Sequence, residues 1–407
     1  NDRAWIRRAK LLILTLLASM TLRKFQADQL FDGKKLLTDH VLITEADGTI
    51  VDLQPTEAAG EHIERLEGIL TPGLINAHCH LELSHLKDVI PPHTGLIEFL
   101  CSVVTKRGFD PEVIQEKIQL AEKEMFKNGI VAVGDIGNTD DTALVKSKSQ
   151  IRWQNFTEVL SFTDEKATDA LAHFGSVAQT LKETLGPPHR TALVPHAPYS
   201  ISPRSFELIN EATAGEVISM HNQEHPAEDH LYQTGDSEYL RLFKIFGIDQ
   251  SPFPITGKTS LRSVLPYFNK QQTIFLVHNT STTESDVIWA EEYAKKNELK
   301  LIWCLCINAN LYIENKVPPI EILMRNNCRI VLGTDSYSSN WQLSIVREMK
   351  SIRDEFPAIP LETILQWATS SGAAALRWSD QLGTFEKGKQ PGIVLLSNDL
   401  KKSRRLL

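Results

Sequence analysis

Residues 70–80 read Leu70-Thr71-Pro72-Gly73-Leu74-Ile75-Asn76-Ala77-His78-Cys79-His80. The apolar run that closes on the histidine pair reads as a buried strand, in which side chains two apart point the same way. Both imidazoles then project together from the strand's end, a good geometry for gripping a divalent metal. His-x-His alone is weak evidence, because a buried histidine donating to a carbonyl explains either residue as well. Repetition strengthens the metal reading: other ligand-type residues close other apolar runs.

Outward from this stretch the chain alternates. Strand-like runs fall at 129–136, 151–162, 191–195, 217–220, 273–277, 299–305 and 329–332, with helix-like segments between them such as 111–128, 283–297 and 343–355. With the strand before His78 they make eight. Repeated β-then-α units over about 300 residues argue for a parallel sheet, and eight units for a (β/α)8 TIM barrel with its chemistry at the C-terminal strand ends. Short strands at 41–43 and 49–51, punctuated by Asp32-Gly33, Asp47-Gly48 and Pro55, precede it. The tail from Gly383 to Leu396 has the same texture. The expectation is an α/β protein with the barrel over 71–379 and a small β-sandwich satellite built from both termini, 21–70 and 380–407.

Residues 1–20 are a separate question. Arg7-Arg8-Ala9-Lys10 before Leu11-Leu12-Ile13-Leu14 resembles a secretory signal. Met20 would make a natural start and no good cleavage site follows Ala18, so an over-extended upstream segment is favoured. A cytoplasmic location follows, with export the alternative if 1–19 act as a signal. No later stretch is long and apolar enough for a membrane helix. A formal net charge of −8 over 407 residues gives no nucleic-acid footprint and favours a small-molecule substrate. Five scattered cysteines do not form a disulfide framework, and Cys304 and Cys306 read as buried structural residues.

The strand ends carry the candidate chemistry. After the strand that closes on His78 and His80, a later one ends in His221-Asn222-Gln223-Glu224, another in His278-Asn279, and the last in Gly333-Thr334-Asp335-Ser336. Three imidazoles and a carboxylate suit Zn²⁺ or Fe²⁺. Any one of these residues alone is more simply structural; four independent strand ends closing on ligand types are not.

The pattern resembles the amidohydrolase superfamily, in its branch of deaminases and chlorohydrolases that includes methylthioadenosine and aminodeoxyfutalosine deaminases. The likeness runs from about Lys24 to Leu407 and rests on Pro72–His80, His196-Ala197-Pro198-Tyr199-Ser200, His221-x-x-Glu224, His278-Asn279 and Gly333–Ser336. It implies one divalent metal, zinc before iron, on His78, His80, His221 and Asp335. It gives Glu224, His278 and Asp335 catalytic roles. The metal would lower the pKa of a bound water, Asp335 would take its proton, and Glu224 would protonate the ring nitrogen and shuttle a proton to departing ammonia. His278 would orient the nucleophile, or serve as a fourth imidazole ligand.

His196 resembles a substrate contact, and Glu82, just past the metal loop, either meets substrate or pairs locally. No lysine ends a strand between 151 and 195, so the site is expected to be mononuclear; Glu158 is the residue that could bridge a second ion. Ser336, Ser338, Ser339 and Asn340 read as support for Asp335, and His85, His93, His225 and His230 as surface or loop residues. Ile307 stands where relatives carry a proline, which would loosen one wall of the pocket. Residues 229–260 read either as a cover over the site or as an ordinary loop and helix.

The main expectation is a deaminase of an adenine nucleoside such as aminodeoxyfutalosine. Its rivals are hydrolysis of another C–N or C–Cl bond and, more remotely, a non-catalytic metal-binding barrel. A homodimer is a family-level expectation only.

Overall fold

In the computed structural model, which describes residues 22–407, five strands precede the histidine pair. They are β1 (Arg23–Phe31), β2 (Leu36–Leu37), β3 (His40–Thr44), β4 (Ile50–Pro55) and β5 (Glu64–Pro72). The segment expected over 1–20 lies outside the described residues. The apolar run around residue 72 divides instead of continuing as one strand: β5 ends at Pro72, and Leu74–Cys79 forms β6. Gly73 is the corner. A Cβ there would lie 2.3 Å from Val131 Cγ1 and 2.5 Å from the Pro391 carbonyl oxygen, so only a residue without a side chain passes.

Seven parallel strands follow β6: β7 (Ile130–Gly137), β8 (Arg152–Val159), β9 (Arg190–Pro195), β10 (Val217–Asn222), β11 (Thr273–His278), β12 (Lys300–Leu305) and β13 (Ile330–Leu332). They pair as two four-stranded parallel sheets, β6-β7-β8-β9 and β10-β11-β12-β13. The halves meet near the carboxyl ends of their edge strands. The His221 amide donates to the His196 carbonyl at 3.0 Å, and the Thr334 and Asp335 amides donate to the His78 carbonyl at 2.9 and 3.0 Å. These contacts, rather than a paired ladder, join the halves. Every residue of β6, β10 and β11 is buried, as parallel strands covered on both faces require.

The intervening helices follow from local signals. Helix Pro111–Lys127 starts where the Asp110 side chain accepts from the Glu112 amide and proline occupies the first turn. It buries Ile118, Ala121 and Met125 on one stripe. Helix Glu284–Lys296 is capped by Thr283, which accepts from the Asp286 amide. No helix of the described residues is long and apolar enough to cross a membrane.

The chain returns through β14 (Ile393–Leu396) and β15 (Ser403–Arg405). Both termini build the small β unit, but as one hydrogen-bonded seven-stranded sheet, ordered β15-β14-β5-β1-β3-β4 with β2 on β1, rather than the expected sandwich of two sheets. The reason is β5, which pairs with N-terminal β1 on one side and C-terminal β14 on the other. Phe25, Leu30, Leu42, Ile50, Leu70 and Ile393 share a core of their own within it.

Candidate metal centre and active site

The strand ends bring the expected residues together. His78 lies within β6, His80 just beyond it, His221 and His278 at the ends of β10 and β11, and Asp335 three residues past β13. The His78 ring centroid is 5.0 Å from those of His80 and His221 and 5.7 Å from that of His278. Asp335 Oδ1 is 3.6 Å from His78 Nε2 and 3.4 Å from His80 Nε2.

Backbone strain concentrates at these ends. His278, Asn279 and Asp335 have φ of 73°, 62° and 58°, a left-handed region that costs non-glycine residues on the order of 1–3 kcal/mol each. Specific bonds hold them there. The Asn279 amide donates to the Asn222 carbonyl at 3.0 Å, and Ser339 Oγ donates to Asp335 Oδ2 at 2.6 Å, the supporting contact expected of that serine. Asn340 Nδ2 donates to the Thr334 carbonyl at 2.7 Å. Gly333 lets the chain press against β6: a Cβ there would sit 2.7 Å from His78 Cβ.

The donor chemistry fits a divalent cation. His221 Nδ1 lies 2.8 Å from the His196 carbonyl oxygen, which can only accept, so Nδ1 carries the proton and Nε2 is a bare lone pair. That Nε2 faces His80 Nε2 at 3.2 Å. Burial pulls His80 down to about 3 and His278 to about 4, and holds His221 well below the usual histidine range, so these rings are neutral. Both His78 ring nitrogens are buried without a hydrogen-bond partner, an uncommon state for buried polar atoms. Burial would raise the Asp335 carboxyl, but the adjoining His78, His80 and His278 rings keep it well below its ordinary value. A cation on His78, His80, His221 and Asp335 would take one nitrogen of each ring and one carboxylate oxygen, including a His78 nitrogen that has no partner in the protein. The ligand atoms of His78, His221 and His278 also lie within 4.8 Å of one another, so distance alone leaves His278 within reach.

His80, Glu82, His196, His221, Glu224, His278 and Asp335 all line one cavity of about 540 Å³. Glu224 Oε1 is 3.6 Å from His278 Nδ1. Burial, reinforced by the Asp335 charge, holds the Glu224 carboxyl well above the usual range, which favours its protonated form. Asn310 Nδ2 is 3.2 Å from His278 Nδ1 and orients that ring. His196 Nδ1 is 2.7 Å from Ser200 Oγ, and burial lowers the ring to about 4. The far wall is apolar, with Phe99, Phe162, Phe174 and Phe246. Of the expected cover, helix Tyr239–Ile245 and the residue after it supply Leu242 and Phe246 to this wall.

Two residues differ from expectation, and two others were passed over. His85 is not a surface residue: it is buried, with Nδ1 and Nε2 each 3.1 Å from the carbonyls of Glu82 and Arg107. Ile307 is buried and opens helix Ile307–Glu314, the helix that presents Asn310, and is not itself in the cavity lining. Arg107 and Asn138 also line the cavity, and the sequence reading passed over both. Asn138 follows β7 directly, so the strand-end rule could have found it; Arg107 lies in a loop and carries no such signal. His93 and His230 are exposed, as expected, while His225 caps helix Pro226–Thr234. Cys304 and Cys306 are buried and free.

Comparison with known proteins agrees with this architecture. The model of the amidohydrolase family matches residues 69–405. A 5-methylthioadenosine/S-adenosylhomocysteine deaminase of Halalkalibacterium halodurans is 26% identical over 375 residues, covering 86% of this chain and 79% of its own. A 5'-deoxyadenosine deaminase of Methanococcus maripaludis is 23% identical over 390 residues, covering 91% and 84%. Among solved structures, Helicobacter pylori aminofutalosine deaminase in complex with methylthio-coformycin matches with a TM-score of 0.75 at 21% identity, over 94% of this chain and 97% of that one. An adenosine deaminase from Xanthomonas campestris with bound zinc matches with a TM-score of 0.69 at 22% identity, over 93% and 84%. Strand order, strand-end donors and a family match over most of its length make this chain an enzyme of the amidohydrolase family.

Proposed function

We propose that this protein is a metal-dependent hydrolase that deaminates an adenine nucleoside, with water replacing the ring amino group, which leaves as ammonia. The observation that carries this reading is the position of Glu224, a buried carboxyl three residues after His221, in the same cavity as the imidazole–carboxylate set. Relatives named as deaminases of methylthioadenosine and 5'-deoxyadenosine support it.

His78, His80, His221 and Asp335 would hold one divalent ion, zinc or iron. When bound, that ion would acidify a water so that a nucleophile is available near neutral pH. Asp335, kept ionised, accepts the proton of the attacking water. Glu224, kept protonated, donates to the ring nitrogen beside the attacked carbon, which makes that carbon a better electrophile. The proton gathered from the water then passes to the departing amine. His278, oriented by Asn310, holds the nucleophile in line. Neutral His196 contacts the base, and Glu82 the remainder of the substrate.

Ammonia release by the metal-loaded protein tests the reading, with aminodeoxyfutalosine, adenosine, methylthioadenosine and S-adenosylhomocysteine as substrates beside guanine and cytosine. Release from an adenine nucleoside is expected. Chloride from a halogenated ring, with no ammonia from any nucleoside, would replace deamination with dehalogenation on the same donor set.

A further inference from the structure

Lys146, at the end of the short helix Ala143–Lys146, is the one buried lysine or arginine among the described residues. Its ammonium meets Asp135 Oδ2 at 2.6 Å and donates to Asn155 Oδ1 at 2.7 Å. Neither Lys146 nor Asp135 lines the cavity, and the reaction described above uses neither. A buried ion pair needs a reason, because apolar side chains of like volume often serve stability as well or better.

The reason lies in the other oxygen of Asp135. Oδ1 accepts from the Leu81 amide at 2.8 Å, the first peptide N–H after His80. The backbone is irregular just before this point. Between the Asn76–Val133 and Cys79–Asp135 pairs, β6 runs from 76 to 79 while β7 runs only from 133 to 135. β6 therefore carries an extra residue, a bulge of the kind that re-aims side chains beside active sites. Gly134 makes room for it: a Cβ there would lie 2.5 Å from the Ala77 carbonyl oxygen. His80 follows the last paired residue of β6, with φ −120° and ψ 82°, so a side chain rather than the ladder fixes the peptide after it.

We infer that Asp135 and Lys146 are positioning residues for the metal ligand His80: the carboxyl fixes the peptide that follows the ligand, and the buried ammonium fixes the carboxyl. The inference rests on the metal site proposed above and not on the substrate. Burial raises the Asp135 carboxyl, against the pull of the Lys146 charge and the Leu81 amide. Both of its contacts are N–H donors, so the place calls for acceptor oxygens. Lys146 is anchored in turn, since Asn155 Nδ2 donates to the Arg190 carbonyl at 3.0 Å and the Trp153 ring lies 5.2 Å from the ammonium.

The test compares two double variants of the full-length protein, Asp135→Asn/Lys146→Met and Asp135→Leu/Lys146→Met. Both remove the ion pair and the contact to Asn155 without stranding a charge. Only the asparagine keeps an acceptor for the Leu81 amide. Zn²⁺ affinity is read by competition with a chromogenic chelator, ligand geometry by the absorption of the Co²⁺-loaded protein, and folding by urea unfolding without metal. Both variants should unfold cooperatively. The leucine variant should bind Zn²⁺ about ten- to a hundredfold more weakly than the asparagine variant, with its Co²⁺ bands displaced from their native positions. Equal zinc affinities and spectra in the two variants overturn the inference. A leucine variant that fails to fold also overturns it, making the pair structural. Absence of zinc binding by the native protein overturns the metal site and the inference with it. Zinc affinities ordered as expected, without ammonia release from any adenine nucleoside, overturn the deaminase reading alone and leave the positioning role standing.

Discussion

Two buried polar clusters lie at the ends of β10 and β11, and they are built in opposite ways. In one, almost every polar atom meets another. Gln223 Nε2 donates to Asp229 Oδ2 at 3.1 Å, and its Oε1 accepts from Thr282 Oγ1 at 3.0 Å. Asp286 Oδ1 accepts from Arg262 Nε and Asp286 Oδ2 from Thr283 Oγ1, both at 2.7 Å; Glu228 Oε2 and the adjoining Asn222 Oδ1 and Thr280 Oγ1 are exceptions. In the other, the His78 nitrogens have no partner, and His80 and His221 turn Nε2 atoms toward each other at 3.2 Å. The first cluster is closed on itself and pins the 226–260 segment against the loop after β11. The second is incomplete as protein alone. Satisfaction of buried groups, rather than polarity as such, separates a structural network from a binding site.

The sharpest way to break that comparison is a chelator. Removing the divalent ion should abolish turnover and leave the closed network folded. Adding zinc should raise thermal stability, by about 4 kcal/mol at a thousandfold excess over Kd. Turnover that survives chelation, with no zinc-dependent shift in Tm, would return the histidine cluster to a structural role.

Next in size is Glu224→Gln. Turnover should fall by about 10²–10⁴-fold with metal content by elemental analysis unchanged. A variant with near-native kcat shows that the proton route runs elsewhere.

Gly333→Ala sharpens the comparison on the backbone side. The added methyl, 2.7 Å from His78 Cβ, should cost about 1–3 kcal/mol in denaturant unfolding and weaken metal binding with it. Equal midpoints for variant and native protein would mean that β6 has room to yield.

The smallest effect is expected in the closed network. Burial, only partly opposed by the Ser260 hydrogen bond, raises Glu228 from 4.5 to about 8. A raised carboxyl holds its proton more tightly when folded. Its stabilising contribution is therefore complete below about 4.5 and is lost as pH rises toward about 8. Glu228→Gln cannot ionise and should flatten that slope, while changing stability at pH 5 by no more than about 1 kcal/mol. Parallel stability–pH curves for the two proteins would show that Glu228 is not the titrating group.

Much of the site was legible because its signals are local. A period-two apolar run ending in a ligand-type residue picked out His78, His80, His221, His278 and Asp335, and the structure gathers them around one point. Asn138 met the same strand-end rule and was missed because an amide is not a metal ligand. His85 was misread because one of its two carbonyl partners belongs to Arg107, 22 residues away. The break at Gly73 was hidden because the atoms that force it, Val131 Cγ1 and the Pro391 carbonyl, belong to remote segments.

By itself the sequence determined the alternation of strands and helices, the residues that close each strand, and the donor types available. The tertiary structure alone decided which atoms lack partners. It set the His221 tautomer through the His196 carbonyl, raised the Glu224 carboxyl by burial, left Glu158 Oε2 without a donor, and merged the terminal strands into one sheet. Periodicity is a property of neighbours in the chain. Desolvation and hydrogen-bond satisfaction are properties of neighbours in space, and around this cavity those neighbours come from the ends of seven of the eight parallel strands and from the loops after them.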